Sequence, residues 1–207
     1  MTSIIKVDNI QNTSGDNIIN ESSGTITVGA SGDTISIPSG ATITNNGTAT
    51  GFGGGKIGQV IQTVIPDIKQ ITSSSGTYVD LTSFNATITP SATSSKVLIN
   101  CSINYGGTSN IYSASRILRG TTAIGLGDAA GSRTRGTVFT SNNVFQKATN
   151  SAVQFLDSPS TTSETTYKLQ ITLNSGQTFK LNSEGENIDN AANHRTISTM
   201  TLMEVLA

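Results

Sequence analysis

Lys96-Val97-Leu98-Ile99-Asn100-Cys101-Ser102-Ile103-Asn104-Tyr105 is the stretch that decides the fold. Val97, Ile99, Cys101 and Ile103 share one parity, and Leu98, Asn100, Ser102 and Asn104 share the other. A strand turns successive side chains to opposite faces, so this alternation predicts a strand with one buried face. The same period recurs in Tyr167, Leu169, Ile171 and Leu173 set against Lys168, Gln170 and Thr172. Outward from these two, strand-like runs cover 59–65, 78–81, 85–89, 112–119, 121–126, 137–145, 152–155, 178–181 and 197–206, with turn residues between them. No segment shows helical periodicity with caps. About ten short strands within residues 56–207 predict an all-β head domain, a β-sandwich or jelly roll.

The region before the head has a different grain. Residues 24–55 read GTITVGASGDTISIPSGATITNNGTATGFGGG. Thr25-Ile26-Thr27, Thr34-Ile35-Ser36 and Thr42-Ile43-Thr44 recur at eight- or nine-residue spacing, the signature of short β rungs. Each rung offers one or two apolar side chains. Fixing a residue's backbone costs about 1–2 kcal/mol, and burying an Ile returns only about 1.5–3 kcal/mol. One chain cannot build a core from so little, so the segment is expected to fold against copies of itself. Ile26, Val28, Ile35, Ile37 and Ile43 are its interface residues. Gly51-Phe52-Gly53-Gly54-Gly55 closes the repeat as a linker. Residues 1–23 are polar, with apolar Ile5, Val7 and Ile10 that suit docking on a partner or, more plainly, the first rung of the stalk. The expected division is therefore 1–23, a β stalk with its linker over 24–55, and a head over 56–207.

Composition excludes several functions. The formal net charge is −1 and no long basic run exists, so phosphate neutralisation of the kind that holds nucleic acid is not expected. Charged residues are 12 % of the chain, about half the usual share, while Ile, Val and Thr are regularly placed; this reads as ordered β structure rather than disorder. Cys101 is the only cysteine, which rules out an intrachain disulfide and suits a small buried hydrophobe. No apolar run approaches the ~20 residues of a membrane-spanning helix, and the opening residues lack a signal-peptide core. Synthesis in a cytoplasm and use within an assembly are expected.

Catalytic constellations are sparse. A single His194 and a single cysteine cannot complete a zinc site. No GxSxG elbow accompanies a serine triad, and the Gly51–Gly55 run lacks the GK[ST] of a phosphate loop. Glu184, Glu186 and Asp189 form the one acidic cluster. Its plain reading is a solvated turn between strands. The sharper readings are a glycosidase carboxylate pair or a calcium site. A structural calcium ion is the one cofactor left open. Sugar-binding platforms are short of material, with no Trp and four Tyr. The Gly- and Ala-rich loop 125–136 carries Asp128, Arg133 and Arg135, which reads either as a surface or intersubunit contact with Asp128 pairing with an Arg across chains or as a mobile loop whose charges are solvated.

As a set, several motifs resemble fibre-like structural proteins of tailed bacteriophages of the marine and cyanobacterial type. They are the opening Ser3-Ile4-Ile5-Lys6-Val7-Asp8-Asn9-Ile10-Gln11, the 125–135 loop, Phe155-Leu156-Asp157-Ser158-Pro159 with Thr165-Thr166-Tyr167, and the closing Ile197-Ser198-Thr199-Met200-Thr201-Leu202-Met203-Glu204. The resemblance implies a non-enzymatic homotrimer on a virion, on the tail or the capsid surface. The N-terminal segment with Ile5, Val7 and Ile10 would anchor to other virion proteins, and the stalk isoleucines would form the trimer interface. The head, similar by analogy to the trimeric jelly rolls of the C1q and tumour-necrosis-factor type, would meet a host surface glycan or protein. A capsid decoration or head-fibre protein is the alternative, and a polysaccharide depolymerase a weaker one.

Overall fold

The computed structural model describes residues 9–11, 13–15, 17–29, 31–42, 44, 56–107, 110–142 and 147–206. Ile5, Val7, Ile43 and the 51–55 glycine run lie outside them. The chain divides into two units, Met1–Phe52 and Gly53–Ala207. Every regular element among the described residues is a strand, and all ladders are antiparallel.

The first unit holds a three-stranded meander: β1 (Asn9–Gln11), β2 (Asn17–Ser22) and β3 (Thr25–Val28), in that spatial order. Ser22 faces Thr25 in the ladder, so Ser23 and Gly24 make a two-residue turn with φ of 52° and 80°. Positive φ at both positions is the type I′ geometry that matches the twist of a hairpin. Of the three repeats, only Thr25-Ile26-Thr27 forms a strand. Thr34-Ile35-Ser36 is irregular, as are Thr42 and Thr44. Neither rung has a ladder partner among the described residues, so the pattern alone does not make them strands.

The second unit contains β4 (Ile57–Ile65), β5 (Lys69–Thr72), β6 (Val79–Ile88), β7 (Lys96–Gly107), β8 (Ile111–Arg119), β9 (Thr122–Ile124), β10 (Val138–Asn142), β11 (Thr149–Asp157), β12 (Thr165–Leu173), β13 (Thr178–Leu181) and β14 (Ser198–Val205). One sheet runs β4-β14-β7-β13-β5, with β11 on the other edge of β7. The second runs β10-β8-β12-β6, with β9 beside β10 on the same edge of β8. β14 lies along residues 96–102 of β7, and β13 continues that lane along 105–107. In the same way β5 continues the lane of β4 beyond Pro66. The described strands of this unit therefore form eight lanes. The first, eighth, third and sixth form one sheet, and the second, seventh, fourth and fifth form the other, which is jelly-roll connectivity.

The core lies between these sheets. Val97, Ile99, Cys101, Ile103 and Tyr105 on β7 and Tyr167, Leu169, Ile171 and Leu173 on β12 are all buried, as their alternation requires. Tyr105 stacks on Phe179, ring centroids 4.8 Å apart. β6 joins two runs that read as separate strands in the sequence. Leu81 and Phe84 have opposite parity, yet both are buried. The register shifts between Asn85 and Asp80 against β12, and Ser83 takes φ 67°. This bulge flips the parity, so both hydrophobic runs face one core within one strand.

Asn182 fixes the corner where β13 ends. It is fully buried and left-handed at φ 59°. Its Nδ2 donates to the carbonyls of Ile65 (2.6 Å) and Asp67 (3.0 Å), and its Oδ1 accepts from Ser198 Oγ at 2.6 Å. Its backbone N–H donates to Asn104 O at 2.7 Å. One side chain thus ties the end of β4 to the start of β14.

Candidate functional site

Two apolar surfaces are uncovered. In the first unit no residue whose burial is described is buried, and Ile10, Ile19, Ile26, Val28, Ile35 and Ile37 are exposed, Ile26 to 69 % and Ile35 to 59 %. In the second unit, ladder register aligns Val60, Met203, Leu98 and Leu156 in one row across β4, β14, β7 and β11. The inward parity of these strands fills the core, so the row stands on the sheet's outer face. Val60 and Leu156 are exposed, and Leu98 and Met203 half-buried. The next row, Gln62, Thr201, Asn100 and Gln154, is polar, and Gln62 Nε2 donates to Thr201 Oγ1 at 2.9 Å.

The acidic cluster separates into unlike members. Glu186 and Asp189 are exposed, but Glu184 is buried, which departs from a simple solvated turn. Glu184 Oε1 lies 3.0 Å from His194 Nδ1, and Oε2 lies 3.5 Å from Lys147 Nζ. The hydrogen bond from His194 and the charge of Lys147 hold its carboxyl below the usual range, against the opposing effect of burial. Ser183, Glu184, Ile188, Asp189 and His194 border a hollow of ≈ 260 Å³. Glu184 serves here as a tether between the loop after β13 and the segment before β11. No group of three or more His, Cys, Asp or Glu side chains able to hold a metal ion occurs among the described residues.

The outer face of the second sheet is the more shaped surface. Arg116 Nε and Nη2 donate to Gln170 Oε1 at 2.8 and 2.6 Å, Gln170 Nε2 donates to Asp80 Oδ1 at 2.6 Å, and Lys168 Nζ reaches Asp80 Oδ2 at 2.8 Å. These donors depress the Asp80 carboxyl, Lys168 and Gln170 foremost. The Arg116 guanidinium lies 4.0 Å from the centroid of the Tyr78 ring, a favourable cation–aromatic arrangement. Tyr78 Oη donates to Arg135 O at 2.7 Å, and Arg135 Nε donates to Gly127 O at 2.6 Å, which folds the 125–136 loop over the sheet. Gly136 permits the approach, because a Cβ there would lie 2.9 Å from Ser115 O and 3.1 Å from both Ala114 Cβ and Tyr78 Oη. Asp128 forms no ion pair with an Arg of its own chain among the described residues.

Phe139 and Tyr112 project from this same face, Phe139 with 65 % of its surface exposed. Neither stood out in the sequence. The run Val138-Phe139-Thr140-Ser141 has no clear period, and pairing with β8 decides its parity. Thr140 opposite Ser113 turns inward, and Phe139 opposite Ala114 turns out.

No protein-family model and no curated protein matches the chain. Solved structures that match include a mutant VP2 protein of infectious bursal disease virus in T=1 particles, at 10 % identity and TM-score 0.37, covering 72 % of this chain and 36 % of that one. The structure of the Gx strain of that virus matches at 12 % identity and TM-score 0.37, covering 84 % and 42 %. The VP2 subviral particle matches at 11 % identity and TM-score 0.36, covering 72 % and 38 %. The chain spans roughly two fifths of the length of these proteins. Likeness of this degree occurs between β-sandwiches of unrelated roles, so no role passes from them to this chain.

Proposed function

We propose that the protein is a non-enzymatic structural component of a tailed-phage particle, a homotrimeric fibre whose N-terminal segment anchors it and whose head attaches to the host surface. The observation that carries the reading is the first unit: Ile26, Val28, Ile35 and Ile37 are all exposed, and no residue there whose burial is described is buried. Copies of the chain supply what one chain lacks, covering the isoleucines and pairing the open rung edges. The outer apolar row of the head, Val60, Met203, Leu98 and Leu156, gives the copies a second surface to share. The resemblance to phage fibres supports the particle, the trimer and the host contact. Several weak head contacts on one particle then add up through effective concentration.

Sedimentation velocity tests the assembly. The wild-type chain sediments at three times its 21.4 kDa mass, and Ile26→Asp with Ile35→Asp shifts it to monomer. A trimer that survives both changes overturns the stalk reading. Electron cryomicroscopy of the particle tests the location. Density at the tail supports host attachment, and density at capsid lattice positions replaces it with decoration of the shell.

A further inference from the structure

A shallow hollow of ≈ 290 Å³ lies on the outer face of the second sheet. Ala114 and Thr172, cross-strand partners on β8 and β12, line it together with Phe139, Tyr112, Thr134 and Asn174. Phe139 pairs with Ala114, so a large exposed ring stands directly beside a methyl group. That difference in height makes the hollow and leaves most of the ring's surface exposed.

Tyr112 Oη, Thr134 Oγ1 and the Asn174 side-chain amide find no partner among the described residues. No charged side chain lines the hollow. An aliphatic segment placed here would strand these hydroxyl and amide groups without partners. A phosphate or carboxylate would find no cation. An uncharged sugar ring satisfies both features, presenting C–H bonds to an aromatic face and hydroxyls to alcohol and amide side chains. Pockets of this kind hold a ligand by an apolar wall and a few placed polar groups.

The surface continues past the ring. Ala114, Thr134 and Phe139 also border a second hollow of ≈ 320 Å³, whose far side carries Asp128, Arg133 and Arg135. Phe139 is thus a ridge between two hollows, and a saccharide chain can cross it.

The geometry points to a saccharide-binding site on the head, with an uncharged ring stacked on Phe139 and held by Tyr112, Thr134 and Asn174. It rests on the host-attachment reading, for which it supplies the ligand class and the place. Two of the four tyrosines, Tyr78 and Tyr112, lie on this face, which offsets the shortage of aromatic platforms apparent in the composition.

The test uses the full chain and a panel of uncharged hexose and N-acetylhexosamine oligosaccharides, titrated by saturation-transfer NMR. At least one member binds wild-type protein, Phe139→Ala weakens it tenfold or more, and Thr134→Val with Asn174→Leu weakens it similarly. The sedimenting mass and urea midpoint stay at wild-type values, because these side chains are exposed. Absence of any binder, equal binding by Phe139→Ala, or a change in self-association on that substitution overturns the site. Binding of labelled protein to host cells separates the two readings. Cells that bind wild type and Phe139→Ala equally refute the hollow and leave attachment standing. Cells that bind neither, with a Phe139-dependent titration in solution, refute attachment and leave the hollow standing.

Discussion

Glu204 sits at the end of β14 with 1 % of its surface exposed, and its replacement by Gln is the sharpest test of how the head is held together. Burial alone would raise its carboxyl, but the hydrogen bonds outweigh that effect. Ser91 donates from both N and Oγ to Oε1 at 2.6 Å, and Gln59 Nε2 donates to Oε2 at 2.9 Å. Together they bring the group from 4.5 down to about 2. At about 1.4 kcal/mol per pH unit, the ionised carboxylate stabilises the folded head by roughly 3 kcal/mol near neutrality. The folded value is depressed, so this contribution is complete above about pH 5 and is lost as pH falls from about 4.5 toward 2. Glu204→Gln removes the charge and turns an amide donor toward groups that are themselves donors. The variant is expected to lose about 3 kcal/mol at pH 7, and the two proteins are expected to converge near pH 2. Urea unfolding followed by tyrosine fluorescence, available because the chain has four Tyr and no Trp, reads both curves. A gap between wild type and variant that stays constant from pH 7 to pH 2.5 would refute the reasoning, since shape and not charge would then account for it.

Asn182→Ala removes three side-chain hydrogen bonds and places a residue with a Cβ and no local polar group at φ 59°, at a cost of about 3 kcal/mol or more in the same urea assay. Asn182→Gly relieves only the backbone part, so a glycine variant as stable as wild type would contradict the corner's role. Tyr167→Phe deletes the hydroxyl that donates to Asp157 Oδ2 at 2.7 Å and leaves the Arg119–Asp157 pair in place. A loss of about 1–1.5 kcal/mol is expected from the urea midpoint, and no loss at all would mean that Arg119 alone satisfies the carboxylate.

The strand alternation of Val97 to Ile103 and of Tyr167 to Leu173 was enough to read the all-β sandwich, because both faces of those strands are set locally. β5 escaped notice: Lys69-Gln70-Ile71-Thr72 is four residues long with one apolar side chain, and only its ladder with β13 makes it a strand. The two halves of β6 looked separate because the bulge at Ser83 breaks the period that a reader of sequence follows. Burial of Glu184 and Glu204 was equally hidden, since their partners Lys147, His194, Ser91 and Gln59 come from distant segments. The outward aromatic at Phe139 followed from pairing with β8, which local pattern does not contain. That each rung offers too few apolar groups to build a core of its own needs only counting, and Ile26 and Ile35 are exposed in the single chain.

The lane order has a kinetic consequence. β14 lies between β4 and β7, so the earliest strand of the head pairs with the one made last, across some 140 intervening positions such as Gln62 and Thr201. Until β14 emerges from the ribosome, β4 has no ladder partner and one long edge of β7 is open. Contacts of such long sequence separation slow folding and lengthen the time during which open edges can mispair. Low charge on a Thr- and Ile-rich chain does little to prevent that. Chains that stop short of β14 would lack a central lane of one sheet and could not present the Val60–Met203–Leu98–Leu156 row. The row is therefore complete only once β14 has joined β4 and β7 in the sheet.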